Sequence, residues 1–523
     1  MESFKIFIET ICILATIFLI IKEMIRSSQL LQQEQYHIKG YLKCLKRIYF
    51  YNVYNLIIIP TFILFYFLNN IWIQMIYLII LSTYYYFNRQ QTIKELKFTK
   101  RIIRLWVIHL AIITTIYTFI MWEIQFTTLI QVLLICLVLT PVNLLLSHIV
   151  IWPLEYLIQL YYVKKASQKI KMIDAKKIAI TGSFGKTSTK SILYHLLKDK
   201  FITKMSPKSY NTLMGISLMI NNDATYSDEV LILEMGATHT GDIQKLVNLT
   251  NPHYAIITDI GPQHLETFKT IENIINEKLA VISSPNNQLV VLNKDNQYLS
   301  SQLPLLKGKN VVTFGLEPSC DFYANNILYS KDGLTFDIFY PQGKLTIKTK
   351  LLGKHNIYNI LACIALIKSV DDFNKKITDE EIIFNLENIE PIPHRLSLIS
   401  EKDFIIIDDS YNSNPNGFRN ALEVLTLFKG PRILITPGIV DAGKMQEEIN
   451  YHLANEIHKS CDFVYLVNNQ SAKAIAKGLD ELGHYNYEIV RSYKEAREKI
   501  SLKYQQGTIL IENDLTDNYF VRG

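Results

Sequence analysis

Residues 178–197 read IAITGSFGKTSTKSILYHLL, an apolar run that meets a glycine turn, then Gly-Lys-Thr, then a helical pattern. This order predicts a strand over KKIAIT and a helix over Thr187–Leu197, with an anion-binding loop between them. Gly182 and Gly185 let backbone N–H groups approach phosphate oxygens, and the helix N-terminus adds its positive dipole. The usual phosphate loop reads Gly, four residues, then Gly-Lys-Ser/Thr; here Ile180 stands at the first glycine position, so the loop is a shortened one. A chance glycine turn is the bland alternative, and the full strand–loop–helix order weighs against it. VLILEMG and YAIITDIG read as further strands alternating with helical stretches, which predicts a parallel α/β sheet.

The chemistry expected of this loop is nucleotide binding. Gly182, Ser183, Gly185, Lys186, Thr187 and Ser188 would cradle ATP, with Lys186 reaching the β and γ phosphates and Thr187 offering a hydroxyl to Mg²⁺. Glu234 ends the hydrophobic run Val230–Leu233, where a metal-binding carboxylate sits at the carboxyl end of a strand. Taken alone, a glutamate there is more often a surface residue.

The first third of the 523 residues has a different character. Five apolar segments, roughly 4–21, 53–68, 71–87, 102–122 and 126–152, approach or exceed the length that crosses a bilayer. Residues 1–165 carry 15 Lys and Arg against 7 Asp and Glu, whereas the remainder carries 39 against 41. The basic residues cluster between the segments, in Arg26–Arg47, Arg89–Arg104 and after residue 153. The positive-inside rule then places the N-terminus outside and everything after about residue 153 in the cytoplasm. The expected organisation is a five-span membrane domain (1–152) followed by an amphipathic linker helix (153–171). Nucleic acid is a poor partner for charges that flank apolar runs. The six scattered cysteines lack the spacing of a zinc site or disulfide framework.

Four more stretches, LEMGATHTGDI (233–243), ITDIGPQHLETF (257–268), GKHNIYN (353–359) and HRLSLI…IDDSYNSNP (394–415), join the shortened loop. Together they resemble the Mur ligases, the ATP-dependent amide ligases of peptidoglycan precursor synthesis. The resemblance runs in order over roughly residues 170–440. It implies a central ATP-binding α/β domain of P-loop type (172–390) and a Rossmann-like C-terminal domain (391–523). Within the family the motifs lie nearest the branch that adds D-alanyl-D-alanine to a UDP-N-acetylmuramoyl tripeptide. The activity implied is ADP-forming ligation through an acyl phosphate, with ATP and Mg²⁺, in cell-wall biogenesis and hence cell shape.

The same resemblance extends the site. It implies that His264 and a carbamylated Lys278 join Thr187 and Glu234 around Mg²⁺, and that Lys186, Lys278 and His264 are catalytic. Asn356 would line the adenine side, with His355 and Asn359 beside it. Arg395 and Asp409 would reach over from the C-terminal domain to phosphate and ribose, and Tyr411, Asn412 and Asn414 would shape the closing face. Implied partners are the UDP-muramyl peptide, D-Ala-D-Ala, the membrane and other cell-wall enzymes. The chain departs from the family in three places. The membrane-like third stands where a soluble UDP-sugar domain is usual, Asp259 stands where Asn is frequent, and 436–452 and 512–519 follow the last domain loosely. Two other readings stay open: the same chemistry on a lipid-linked or polymeric carboxylate such as poly-γ-glutamate, and an ATP-driven transporter or membrane scaffold. Against the latter, the spans lack the charged residues of a substrate path.

Overall fold

The computed structural model describes residues 2–34, 36–46, 76, 79, 96–123, 129–263, 265–401, 403–411, 414–440 and 445–512. The chain divides into two compact units, residues 1–158 with 515–523, and residues 159–514.

The described part of the first unit is helical. Glu2–Gln33 contains the first apolar segment, Lys100–Glu123 the fourth, and Leu129–Lys171 the described part of the fifth. The second and third segments fall almost wholly outside the described residues. Among the described residues one stretch, Leu139–Lys171, is long and apolar enough by length and composition to cross a membrane. The separate linker helix expected over 153–171 is corrected: Leu129–Lys171 is continuous through Pro141 and Pro153. A proline removes one intrahelical hydrogen bond, and the apolar residues on either side keep the helix going.

Beside the apolar cluster of Leu30, Leu31, Ile102, Leu105 and Leu144, the interior of this unit also holds polar groups, and its surface is rich in apolar ones. Glu23, Ser27, Ser28, His109, Asn143, Ser147 and Glu155 are buried, while Leu14, Val107 and Leu157 are 62%, 60% and 62% exposed. The buried groups tie the helices together. Arg104 clasps Glu155 through two bonds (2.6 and 3.0 Å), Trp106 donates to Ser28 Oγ (2.9 Å), and the Tyr41 hydroxyl donates to the Pro141 carbonyl (3.0 Å).

In the second unit the described strands form two sheets. The first has nine strands: β1 Lys176–Thr181, β2 Thr203–Met205, β3 Val230–Glu234, β4 Tyr254–Ile257, β5 Leu289–Asn293, β6 Val311–Gly315, β7 Phe322–Ser330, β8 Gly333–Tyr340 and β9 Gly343–Thr349. Their order is β2-β3-β1-β4-β5-β6-β7-β8-β9, parallel through β7 and antiparallel over the last three. β3, β4 and β5 are buried along their whole length, as strands covered on both faces must be. One face packs on Lys186–Leu197 and Lys354–Ser369, the latter apolar nearly all round. On the other face lie Leu213–Asn222, Asp242–Thr250, Ile271–Leu279 and the end of the long helix, where Ala166 and Ile170 are buried.

The second sheet has β10 Ser397–Glu401, β11 Phe404–Asp409, β12 Arg432–Thr436, β13 Phe463–Val467, β14 Tyr487–Val490 and β15 Gly507–Glu512. Its order is β10-β11-β15-β12-β13-β14, parallel except for β10.

β1 lies between β3 and β4, so the chain leaves β1 at a point where neighbouring connections diverge. Open parallel sheets bind ligands in the crevice that this creates at the carboxyl ends of the strands. Ile180 pairs with Glu234 and Thr181 with Ile257, so the shortened loop, Glu234 and Asp259 all meet there.

Candidate active site

The phosphate loop is shaped by its glycines. Gly182 has φ +149°, and a Cβ there would stand 2.2 Å from Thr258 Oγ1. Gly185 has φ +79°, and a Cβ there would stand 2.7 Å from Asn359 Oδ1. Neither position accepts a side chain without strain. The Ser183 N–H donates to the Asp259 carbonyl (2.7 Å) and its hydroxyl to the Gly261 carbonyl (3.1 Å), which pins the loop to the end of β4. Ser188 is buried in the first turn of the helix.

Lys186 curls over this loop, donating to the Gly182 and Ser183 carbonyls (2.8 and 3.0 Å). Burial brings its pKa down to about 8; Glu234 works against that shift and Arg395 adds to it. The Thr187 hydroxyl donates to Glu234 Oε2 (3.0 Å). Burial pushes the Glu234 carboxyl up, but the ammonium groups of Lys190 and Lys186 more than offset it and hold it below the usual range.

Lys278 lies in Ile271–Leu279 and is buried. Burial lowers its pKa to about 7, the Lys186 charge lowers it further, and Glu277 and Asp242 oppose. The Glu277 carboxylate accepts from the Gly241 and Ile243 N–H groups (2.6 Å each), closing the N-terminus of Asp242–Thr250. An amine half-neutral near pH 7 has the protonation state that uptake of CO₂ requires.

From the C-terminal side, Arg395 lies over the Tyr411 ring at 4.3 Å. Its charge reaches Lys186 and also His355, whose pKa falls to about 4 through burial and then Arg395. His355 Nδ1 is a buried polar atom without a partner among the described residues. Burial raises Asp409 to about 6, with Arg395 and the Leu396 N–H opposing. Lys186, Thr187, Glu234, Lys278, Arg395 and Asp409 are therefore linked by contact or field around one crevice.

The expected residues His264 and Asn412 lie outside the described residues. Asn356 is buried behind the loop. Its amide donates to the Leu352 carbonyl (2.7 Å) and its oxygen accepts from Asn359, which accepts from Thr189. These contacts place both asparagines as a brace for Gly185. Asn414 caps Pro415–Thr426 through the Asn416 and Gly417 N–H groups.

Sequence reasoning passed over four residues. The Lys190 ammonium is 2.9 Å from Glu234 Oε2, and Asn211 Nδ2 donates to Glu234 Oε1 (3.1 Å). Asp295 accepts from the Tyr358 hydroxyl (2.9 Å) and the Leu316 N–H (2.6 Å), and Asn296 donates to Asp259. The polar run Asn293–Asn296 at the carboxyl end of β5 was the signal for the last two.

Among the described residues no cluster of three His, Cys, Asp or Glu side chains could hold a metal. The Thr187 hydroxyl and Glu234 carboxylate are nonetheless hard oxygen donors 3.0 Å apart beside a phosphate loop. Mg²⁺ takes such a pair, completing its shell with waters and phosphate oxygens.

Fold and site together define a nucleotide-dependent α/β enzyme with a phosphate loop and a second domain facing it. Residues 180–367 match the Mur ligase middle domain and residues 394–511 the Mur ligase, glutamate ligase domain. The chain belongs to the Mur ligase family. It is 30% identical over 339 residues to the UDP-N-acetylmuramoyl-tripeptide–D-alanyl-D-alanine ligase of Rickettsia prowazekii, covering 61% of this chain and 74% of that protein. It is also 30% identical over 291 residues to the ligase of the same name from Buchnera aphidicola subsp. Baizongia pistaciae, of which it spans 62% while 55% of this chain is covered. The MurF ligase of Thermotoga maritima, solved in complex with ADP, superposes with a TM-score of 0.59 at 25% identity, over 68% of this chain and 80% of that one.

Proposed function

We propose that this chain is an ATP-dependent, ADP-forming carboxylate–amine ligase that joins D-alanyl-D-alanine to UDP-N-acetylmuramoyl tripeptide. The observation that carries the reading is Lys186, Thr187 and Glu234 at the carboxyl ends of β1 and β3, in a chain whose relatives from Rickettsia prowazekii and Buchnera aphidicola are named for this reaction. A substrate carboxylate oxygen attacks the γ-phosphorus, the bond to ADP breaks, and an acyl phosphate forms. The amine then attacks the acyl carbon, phosphate leaves, and the nitrogen loses a proton. Lys186 meets charge on the γ-phosphoryl group. Mg²⁺ held by Thr187 and Glu234 would neutralise phosphate charge. A carbamylated Lys278 and His264 would complete that side. Arg395 and Asp409, on the second domain, would close on phosphate and ribose and exclude water. Phosphate release from ATP, assayed with the tripeptide nucleotide and D-Ala-D-Ala together and singly, tests this; release indifferent to the amine overturns it.

The helical unit is proposed to be a multi-span membrane domain that holds the catalytic domains at the cytoplasmic face. What supports this is the number of large apolar side chains it turns outward, among them Leu14, Phe18, Val107, Leu110, Val150 and Leu157. Washing membranes that carry the full chain with alkaline carbonate should leave it in the pellet; release would remove the proposal. A second reading keeps the chemistry but takes a lipid-linked carboxylate. It is favoured by the large apolar side chains that the helical unit turns outward.

A further inference from the structure

The Lys190 ammonium is turned inward where the stem alone would have served as packing, and the side chain is 2% exposed. It donates to Glu234 Oε2 (2.9 Å) and to the Lys208 carbonyl (2.6 Å). Lys208 has φ +48°, a left-handed turn that a lysine rarely adopts. The same segment grips the end of β3 at three more places. Ser206 Oγ accepts from the Glu234 N–H (3.1 Å), Asn211 Nδ2 donates to Glu234 Oε1 (3.1 Å), and the Asn211 carbonyl accepts from the Gly236 N–H (2.8 Å). A Cβ on Gly236 would stand 2.7 Å from Asn211 Cγ, so the approach is close.

We propose that Lys190 is a positioning residue that locks segment 206–211 to the cation-binding carboxylate. The inference rests on the ligase reading for the role of Glu234. Lys190 follows Lys186 by one helical turn, so one helix carries the phosphate lysine toward the loop and a second lysine toward the carboxylate. With Lys190 and Asn211 holding its two oxygens, Glu234 is fixed in the orientation that presents Oε2 to Thr187. Without Lys190 the carboxylate keeps only Asn211 and Thr187, and the 206–211 turn loses the donor that fills its Lys208 carbonyl and with it the hold on Asn211.

The test uses the full chain and two readouts that do not need the ligation substrates. The first is ATP binding by calorimetry across a Mg²⁺ titration. The second is amide hydrogen exchange at Ser206 and Tyr210, whose N–H groups are bonded to Ile232 and Pro207. In Lys190→Met the half-saturating Mg²⁺ should rise at least tenfold, with ATP binding in the absence of metal kept within about twofold. Exchange at Ser206 and Tyr210 should quicken by at least tenfold while β4 and β5 stay protected. Should that variant fail to fold, Asn211→Ala keeps the Lys190–Glu234 pair and should give a smaller shift of the same kind, about threefold. An unchanged Mg²⁺ requirement and unchanged exchange in either folded variant would overturn the inference. Wild-type protein that binds ATP equally with and without Mg²⁺ would overturn the ligase reading and this inference together.

Discussion

Replacing Lys278 by methionine should make the protein more stable and inactive at once. Lys278 is buried, and burial with the Lys186 charge brings its pKa to about 7 from the ordinary lysine value of 10.5. A base whose folded pKa lies below its unfolded one is held protonated at a cost. The unfolded chain binds the extra proton between about pH 7 and 10.5, so stability rises with pH across that window and the full penalty applies below it. At 1.36 kcal/mol per unit, three to four units correspond to ~5 kcal/mol, an order of magnitude for the penalty at pH 6. Methionine fills a similar volume without the charge. Urea unfolding in CO₂-free buffer should find Lys278→Met more stable by ~3–5 kcal/mol at pH 6, with the gap closing toward pH 10. Ligation should be lost at every pH, because neither an amine nor its carbamate remains. A variant less stable than wild type at pH 6, or two parallel pH–stability curves, would refute the reasoning.

Three further outcomes are expected. Lys186→Ala should reduce turnover by at least ~10²–10³-fold, the scale of losing a preorganised charge at a transferring group, with the fold intact by circular dichroism; turnover within about tenfold of wild type would remove the phosphate-cradle assignment. Gly185→Ala places a side chain at φ +79° and against Asn359, so it should lose ~1–2 kcal/mol of stability from backbone strain alone and weaken ATP binding in a calorimetric titration. Glu277→Gln weakens two charge-assisted bonds to the Gly241 and Ile243 N–H groups and should lower stability by ~1–3 kcal/mol, read from the urea midpoint.

The parts of the site that were legible in sequence are contiguous or sit at strand ends. The loop Gly182–Thr187 announces itself because glycine is required at its two turning points. Glu234 is legible because an apolar strand stops at a charge. What stayed hidden is held by distance. Lys190 meets its carboxylate across 44 positions and Asn211 across 23, and neither contact leaves a local pattern. The contacts of Asn356 with Asn359 and the Leu352 carbonyl were not legible, because Lys354–Ser369 is buried on nearly every side and periodicity does not say which face it presents. The last apolar segment ends at residue 152 and so marks a boundary in sequence, but Leu129–Lys171 continues through Pro153 without a break. The sheet order, with β1 between β3 and β4, depends on long-range pairing that alternation of strand and helix signals does not specify.

The most direct measurement is ADP and phosphate formation by the full chain in detergent, with UDP-N-acetylmuramoyl tripeptide, D-alanyl-D-alanine, ATP and Mg²⁺, and mass spectrometry of the nucleotide product. The account predicts one ADP and one phosphate per UDP-muramoyl pentapeptide, with phosphate released only when both substrates are present and at least ~10²-fold more slowly from Lys186→Ala. ATP turnover without pentapeptide, equal in the presence and absence of the amine, would contradict it.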